Sequence, residues 1–137
     1  MSETNSKART IGYWVTTALV AFTVGSGGAA QLAHMPANVE GMMHLGYPAY
    51  LLTILGVWKV FGTVAILAPG LPRLKEWAYA GIVFDLTGAA ASHAACGDAV
   101  WHILAPAILA VLALASWALR PPSRIVGTLV GVKGGQA

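Results

Sequence analysis

The sequence predicts an all-α integral membrane protein: a four-helix bundle with cytoplasmic N and C termini and a short interfacial segment between the first two helices. Three observations carry that prediction. The chain is 57% hydrophobic and only 9% charged, with mean hydropathy +0.69, whereas soluble domains carry about a quarter charged residues. Four apolar runs each approach the ~20 residues that a spanning helix needs. All basic residues but one sit at alternate connections, on one side of a four-helix arrangement. At this length so much apolar surface has no soluble core to enter, and the bilayer is its natural solvent.

The first predicted helix covers residues 11–33, after a polar stretch with Lys7 and Arg9. It is too long for a signal-peptide core and lacks a clear small-x-small cleavage site, so it reads as a retained span. The connection at 34–48 has no Lys or Arg. Its Glu40, Met42, Met43, His44, Leu45 and Tyr47 form a partly apolar helical stretch suited to the interface or the bundle mouth.

The second helix, 49–68, follows Pro48 and ends at the turn Pro69-Gly70-Leu71-Pro72. The third, 75–95, holds Asp85, Ser92 and His93 and is the least apolar. Cys96-Gly97-Asp98 turns the chain, with Asp98 as the expected N-cap. The fourth, 99–119, contains Pro106, expected to kink it, and stops at Pro121-Pro122. A polar tail fills 120–137. Lys7, Arg9, Arg73, Lys75, Arg120, Arg124 and Lys133 all fall on one side, read as seven unburied anchors. The whole reads as a single domain.

Several function classes recede at once. The net charge of +3 makes no basic patch, so nucleic acid is not the expected partner. Cys96 is the only cysteine, which rules out an intrachain disulfide and an internal dithiol couple. Gly25-Ser26-Gly27-Gly28 follows no strand and precedes no GK[ST], so it suits close helix packing rather than phosphate.

Polar residues within the apolar runs carry the functional argument. Lys59 and Asp85 each stand near mid-run, about nine and about ten residues from the outer ends of their helices. A charge at the bilayer centre costs about 2.5–3.5 kcal/mol on insertion scales, and pairing offsets most of it. The pair reads as a proton-relay or substrate-binding element, or as a device that sets helix register. Gly81, Asp85, Gly88, Ser92 and Ala95 make a small, polar stripe, expected to pack closely against a neighbouring helix or to line a cavity through Asp85 and Ser92. Trp58 lies deep in its run and is expected inside the bundle. Glu76 at the start of the third helix favours the helix dipole and is expected to pair with Arg73 or Lys75.

His34, Glu40, His44, His93, Cys96, Asp98 and His102 map to the outer third. His93, Cys96 and His102 have ligand types that suit zinc or copper; their spacing across a helical turn is compatible with a metal but not diagnostic of one, a hydrogen-bonded network near the mouth is the preferred reading, and no metal is assigned. An acid–base or quinone-contacting role for one histidine is the other reading.

His44-Leu45-Gly46-Tyr47-Pro48, Trp58-Lys59, the run from Leu74 to Gly81 (Leu-Lys-Glu-Trp-Ala-Tyr-Ala-Gly), Phe84-Asp85, Gly88-Ala89 and Ser92-His93 resemble the DoxX-like family of small four-helix bacterial membrane proteins. The resemblance covers residues 11–119. It implies the bundle fold, a place in the bacterial inner membrane, and importance for Lys59, Glu76, Asp85, Ser92 and His93. The family name comes from a subunit of a thiosulfate:quinone oxidoreductase, and related proteins are implicated in quinone-linked redox systems and in membrane-protein assembly. No haem or flavin motif is visible here. The expectation is a non-catalytic accessory or assembly subunit, in contact with lipid and with a membrane-protein partner or a second copy. The alternative is a redox-linked subunit that binds a quinone-like or apolar small molecule near Lys59, Asp85 and His93, with His93 or His44 on its headgroup.

Overall fold

A computed structural model describes residues 2–126; the end of the expected tail, with Lys133, lies outside the described residues. Five helices and one short 3-10 turn follow in order: α1 (Glu3–Leu32), α2 (Pro36–His44), α3 (Tyr50–Leu67), α4 (Pro72–Ala95), α5 (Val100–Ala118), and the turn Pro122–Arg124. The described residues contain no strand. α1, α3 and α5 are each long and apolar enough to cross a membrane. α4 has 24 residues, a length of about 36 Å, but its charges keep it below that level of hydropathy. α1 begins eight residues earlier than hydropathy suggests, because its polar first turns stay helical while exposed.

Breakers shape each junction. Pro36 and Pro72 open α2 and α4, where a missing N–H costs nothing. Gly70 and Leu71 both adopt left-handed backbone (φ 71° and 53°), which reverses the chain between α3 and α4 within a few residues. Pro106 lies inside a continuous α5. Asp98 does not cap α5: that position belongs to Ala99, without a side-chain cap, because the Asp98 carboxylate is engaged by two histidines.

The four longer helices form a closed ring, α1 against α3, α3 against α4, α4 against α5, and α5 against α1. Neighbours run antiparallel: Leu32 meets Gly56 and Gly25 meets Thr63 between α1 and α3, Lys59 meets Asp85 and Gly62 meets Ile82 between α3 and α4, His93 meets His102 and Tyr79 meets Ser116 between α4 and α5, and Gly12 meets Leu119 and Thr17 meets Ser116 between α1 and the end of α5. Val20, Val24, Ile66, Tyr79, Ile82, Leu86, Ala110 and Ala113 form the core. Thr17, Ser116 and Tyr79 are also buried there. Their hydroxyls satisfy one another, with Thr17 Oγ1 2.6 Å and Tyr79 Oη 2.7 Å from Ser116 Oγ, so α1, α4 and α5 are tied without an orphaned polar atom.

The closest helix approach is between α1 and α3. A Cβ on Gly28 would lie 2.8 Å from Lys59 Cβ and 3.2 Å from the Gly56 carbonyl oxygen; one on Gly56 would lie 2.8 Å from Leu32 Cγ. The glycine-rich stretch of α1 therefore serves close packing, as its composition suggests. The α4 stripe does not: positions where Cβ atoms would stand on Gly81 and Gly88 have no neighbouring atom within 4 Å.

The two ends of the ring differ in chemistry. Arg9, Lys75, Arg120 and Arg124 gather at one end, and all four histidines at the other. At the basic end, two helix C-termini meet cations, which complement the dipole and the unpaired carbonyls there. Lys75 Nζ donates to the carbonyl of Ala65 at 2.6 Å and also to that of Ala68. Arg124 donates to Ile66, Leu67 and Ala68 carbonyls, and Arg9 to that of Ala118. Lys75 is thus wholly buried and Arg120 nearly so, not the exposed anchors that their loop positions suggest. Glu76 likewise turns from Arg73 and Lys75 to Arg120, 2.6 Å away, and to Trp117 Nε1 at 2.8 Å.

Candidate functional site

The mid-depth charges meet. Lys59 Nζ lies 3.3 Å from Asp85 Oδ2, with the two side chains 19% and 18% exposed. Three features place them. Gly28 lets α1 sit directly on Lys59 Cβ, which leaves the lysine stem no direction but toward α4. Gly62 of α3 packs toward Ile82 of α4, drawing the two helices together one turn away. Antiparallel packing then puts α3 and α4 midpoints at the same depth.

Beside this pair, toward the basic end, the facing sides of α3 and α4 leave a groove of about 730 Å³, within the range of small-molecule sites. Trp58 and Phe61 from α3 and Trp77 and Phe84 from α4 line it, with Ile82 at its base and Lys59 and Asp85 as its polar groups. All four aromatic rings are well exposed on the bundle's outer face. Trp58 is 69% exposed, against the expectation that its depth would put it inside. In lipid an indole gains nothing from the core over the acyl chains, so depth in the run does not decide which way it faces.

Sequence reasoning passed over Phe61, Trp77 and Phe84 as wall residues. The signal is present: Trp58, Phe61, Gly62 and Ala65 on α3, and Trp77, Ala78, Gly81, Phe84 and Asp85 on α4, recur at three- and four-residue spacing and share one helix face each. On α4 that face contains Gly81, which keeps the groove floor open instead of closing the interface.

The remaining predicted residues gather elsewhere. Asp98 receives His93 Nδ1 on one oxygen at 2.6 Å and His44 Nε2 on the other at 2.7 Å. The His93 ring stacks on His102 at 5.4 Å. Ser92 donates to the Gly88 carbonyl and meets Tyr47 Oη at 2.8 Å. This cluster clamps α2 and its following turn onto the ends of α4 and α5. His93 is about 12 Å along the axis from Asp85, and Ser92, His93 and His44 do not line the groove. Hydrogen bonds from both histidines, that from His93 first, hold the Asp98 carboxyl below the usual carboxylate range. His93, Cys96 and His102 do not converge as ligands: among the described residues no three His, Cys, Asp or Glu side chains could hold one metal ion.

The arrangement can therefore do one thing well. It offers an apolar, aromatic slot entered from the side of the bundle, with a donor and an acceptor fixed at its deep end. Compared with known proteins, residues 15–116 match the model of the DoxX-like family. Neither the curated proteins nor the solved structures returned a match.

Proposed function

This chain belongs to the DoxX-like family of membrane proteins, and from that membership we propose that its α3/α4 groove receives an apolar small molecule of the quinone class from the bilayer. The observation that carries the reading is the groove itself. A slot of about 730 Å³ walled by Trp58, Phe61, Trp77 and Phe84 suits a flat ring and an apolar tail. The Lys59–Asp85 pair would meet its polar head. His93 and His44, bonded to Asp98, have no part in this site.

The reading includes four spans in a bacterial inner membrane with both ends cytoplasmic. Two features support α4 as the fourth span. Its one mid-helix charge has a partner at 3.3 Å, which offsets the insertion cost. Its other charged residues, Arg73, Lys75 and Glu76, cluster at the basic end, the end that faces the cytoplasm by the positive-inside rule.

Purification in mild detergent, followed by solvent extraction and absorbance spectroscopy, tests the ligand. A bound isoprenoid quinone supports the reading. Protein that carries no extractable quinone and takes up none when it is added counts against it.

One observation favours the accessory reading instead. Gly81 and Gly88 face open space, as a partner helix would require. A stoichiometric membrane partner in the same purification, with no small molecule, would support that role.

A further inference from the structure

The groove's two polar groups are incompletely satisfied. Lys59 and Asp85 face each other at 3.3 Å, and neither side chain has another hydrogen-bond or ion-pair partner among the described residues. An ammonium has three N–H donors and a carboxylate accepts through both oxygens. Asp85 Oδ2 therefore answers one donor, and two donors and Oδ1 remain. The residual exposure of both side chains opens into the groove that they line. No bulk water reaches this depth in hydrocarbon, where an unpaired polar group costs several kcal/mol.

Resting on the groove reading above, we propose that the site selects a ligand whose uncharged head bears a hydroxyl: the quinol form rather than the quinone. One hydroxyl oxygen accepts from Lys59 while its proton is donated to Asp85, so a single group engages both residues. A quinone carbonyl can only accept. It leaves Asp85 Oδ1 without a donor and brings its own lone pairs toward a carboxylate. An anionic head fares worse, because what it gains at Lys59 it loses to Asp85 alongside. Aromatic walls accept either ring equally, so the discrimination rests on these two side chains. Tighter binding of the reduced form also raises the potential of the bound couple, by about 30 mV for each tenfold in affinity.

The test compares three ligands of one tail and ring: a decyl-substituted benzoquinol, the corresponding benzoquinone, and the quinol's dimethyl ether. Each is titrated anaerobically against the full chain in nanodiscs, with dissociation constants read from the fluorescence of Trp58 and Trp77 in the groove walls. The quinol is expected to bind about ten-fold more tightly than the quinone, the factor for one hydrogen bond to a charged group. The ether, which accepts but cannot donate, binds no better than the quinone. In the double variant Lys59→Met/Asp85→Leu the preference falls to about one-fold. Equal affinities in the unaltered protein, or a preference for the quinone, overturn the inference while leaving the groove reading intact. Failure of all three ligands to bind removes both. The comparison within the unaltered protein decides the matter even where the double variant does not fold.

Discussion

Lys59 and Asp85 are worth most as a pair. Each side chain is about four-fifths covered, so removal of one leaves the other without its counter-charge in a medium that solvates it poorly. Lys59→Met or Asp85→Leu alone should lower stability by about 3 kcal/mol, and the double change should cost clearly less than the sum. Thermal unfolding of the three variants in one detergent measures this; additive losses would mean that the two groups are not coupled. Asp98 makes a different prediction. Its folded carboxyl titrates below the ordinary value because His93 and His44 bond to the charged form. The sign follows from linkage: the clamp's contribution is complete above the unfolded value of about 4 and is lost as pH falls through the lower, folded value. The protection of the α2 amides, relative to their intrinsic exchange rate at each pH, should therefore fall below about pH 4, and Asp98→Asn should show low protection already at neutral pH. If α2 is equally protected in that variant, the clamp does not hold it.

At the scale of elements, helix approach and helix ends decide the architecture. Lys59 leaves α3 on the side of α4 because Gly28 and Gly56 bring the backbones of α1 and α3 together behind it. Gly28→Ala would place a methyl 2.8 Å from Lys59 Cβ, with backbone as the other neighbours, and should destabilise by about 1–3 kcal/mol through overpacking. It should also weaken ligand uptake by displacing Lys59. Gly88→Ala, where nothing stands within 4 Å, is the matched control and should not lower the melting temperature, since Ala is the better helix former; equal losses at both sites would refute the packing argument. The C-terminus of α3 depends on Lys75 in the same way. Lys75→Met removes the side-chain donor of the Ala65 carbonyl and leaves that of Ala68 to Arg124 alone, and should cost about 1–3 kcal/mol. The unfolding midpoint of that variant checks it, and a melting curve like that of the unaltered protein would deny the cap.

For the whole molecule the governing fact is polarity along the bundle axis. Cationic groups and helix C-termini of α3 and α5 share one end, and histidines and Asp98 share the other. If the basic end faces the cytoplasm, as proposed above, Cys96 lies on the far side. It is exposed and is the single cysteine of the chain, so it reports orientation without any engineering. A membrane-impermeant maleimide should label it in intact spheroplasts. Labelling only after the membrane is opened would invert the topology, and reporter fusions that place the two termini on opposite faces would remove one span.

Much of this was readable from the sequence because lipid imposes simple rules. Four long apolar stretches, punctuated by Pro36, Pro48, Pro69, Pro72 and Pro121, mark the helices, since a backbone in hydrocarbon must satisfy its own hydrogen bonds. The partnership of Lys59 with Asp85 follows from matched depth and opposite sign. What faces what is a different matter. Inside a membrane, apolar side chains are at home both in the core and against the acyl chains, so hydropathy does not tell Trp58 which way to point. Nor does it distinguish Gly28, pressed against α3, from Gly88 in open space. Side-chain reach settled the rest: long flexible stems carried Lys75 and Arg124 back to the carbonyls of α3, and brought Arg120 across to Glu76. Composition and spacing determined the helices and the depth of their charges. Packing around the ring, which depends on contacts remote in sequence, decided that the outer faces of two of those helices leave a groove with an ion pair in its wall.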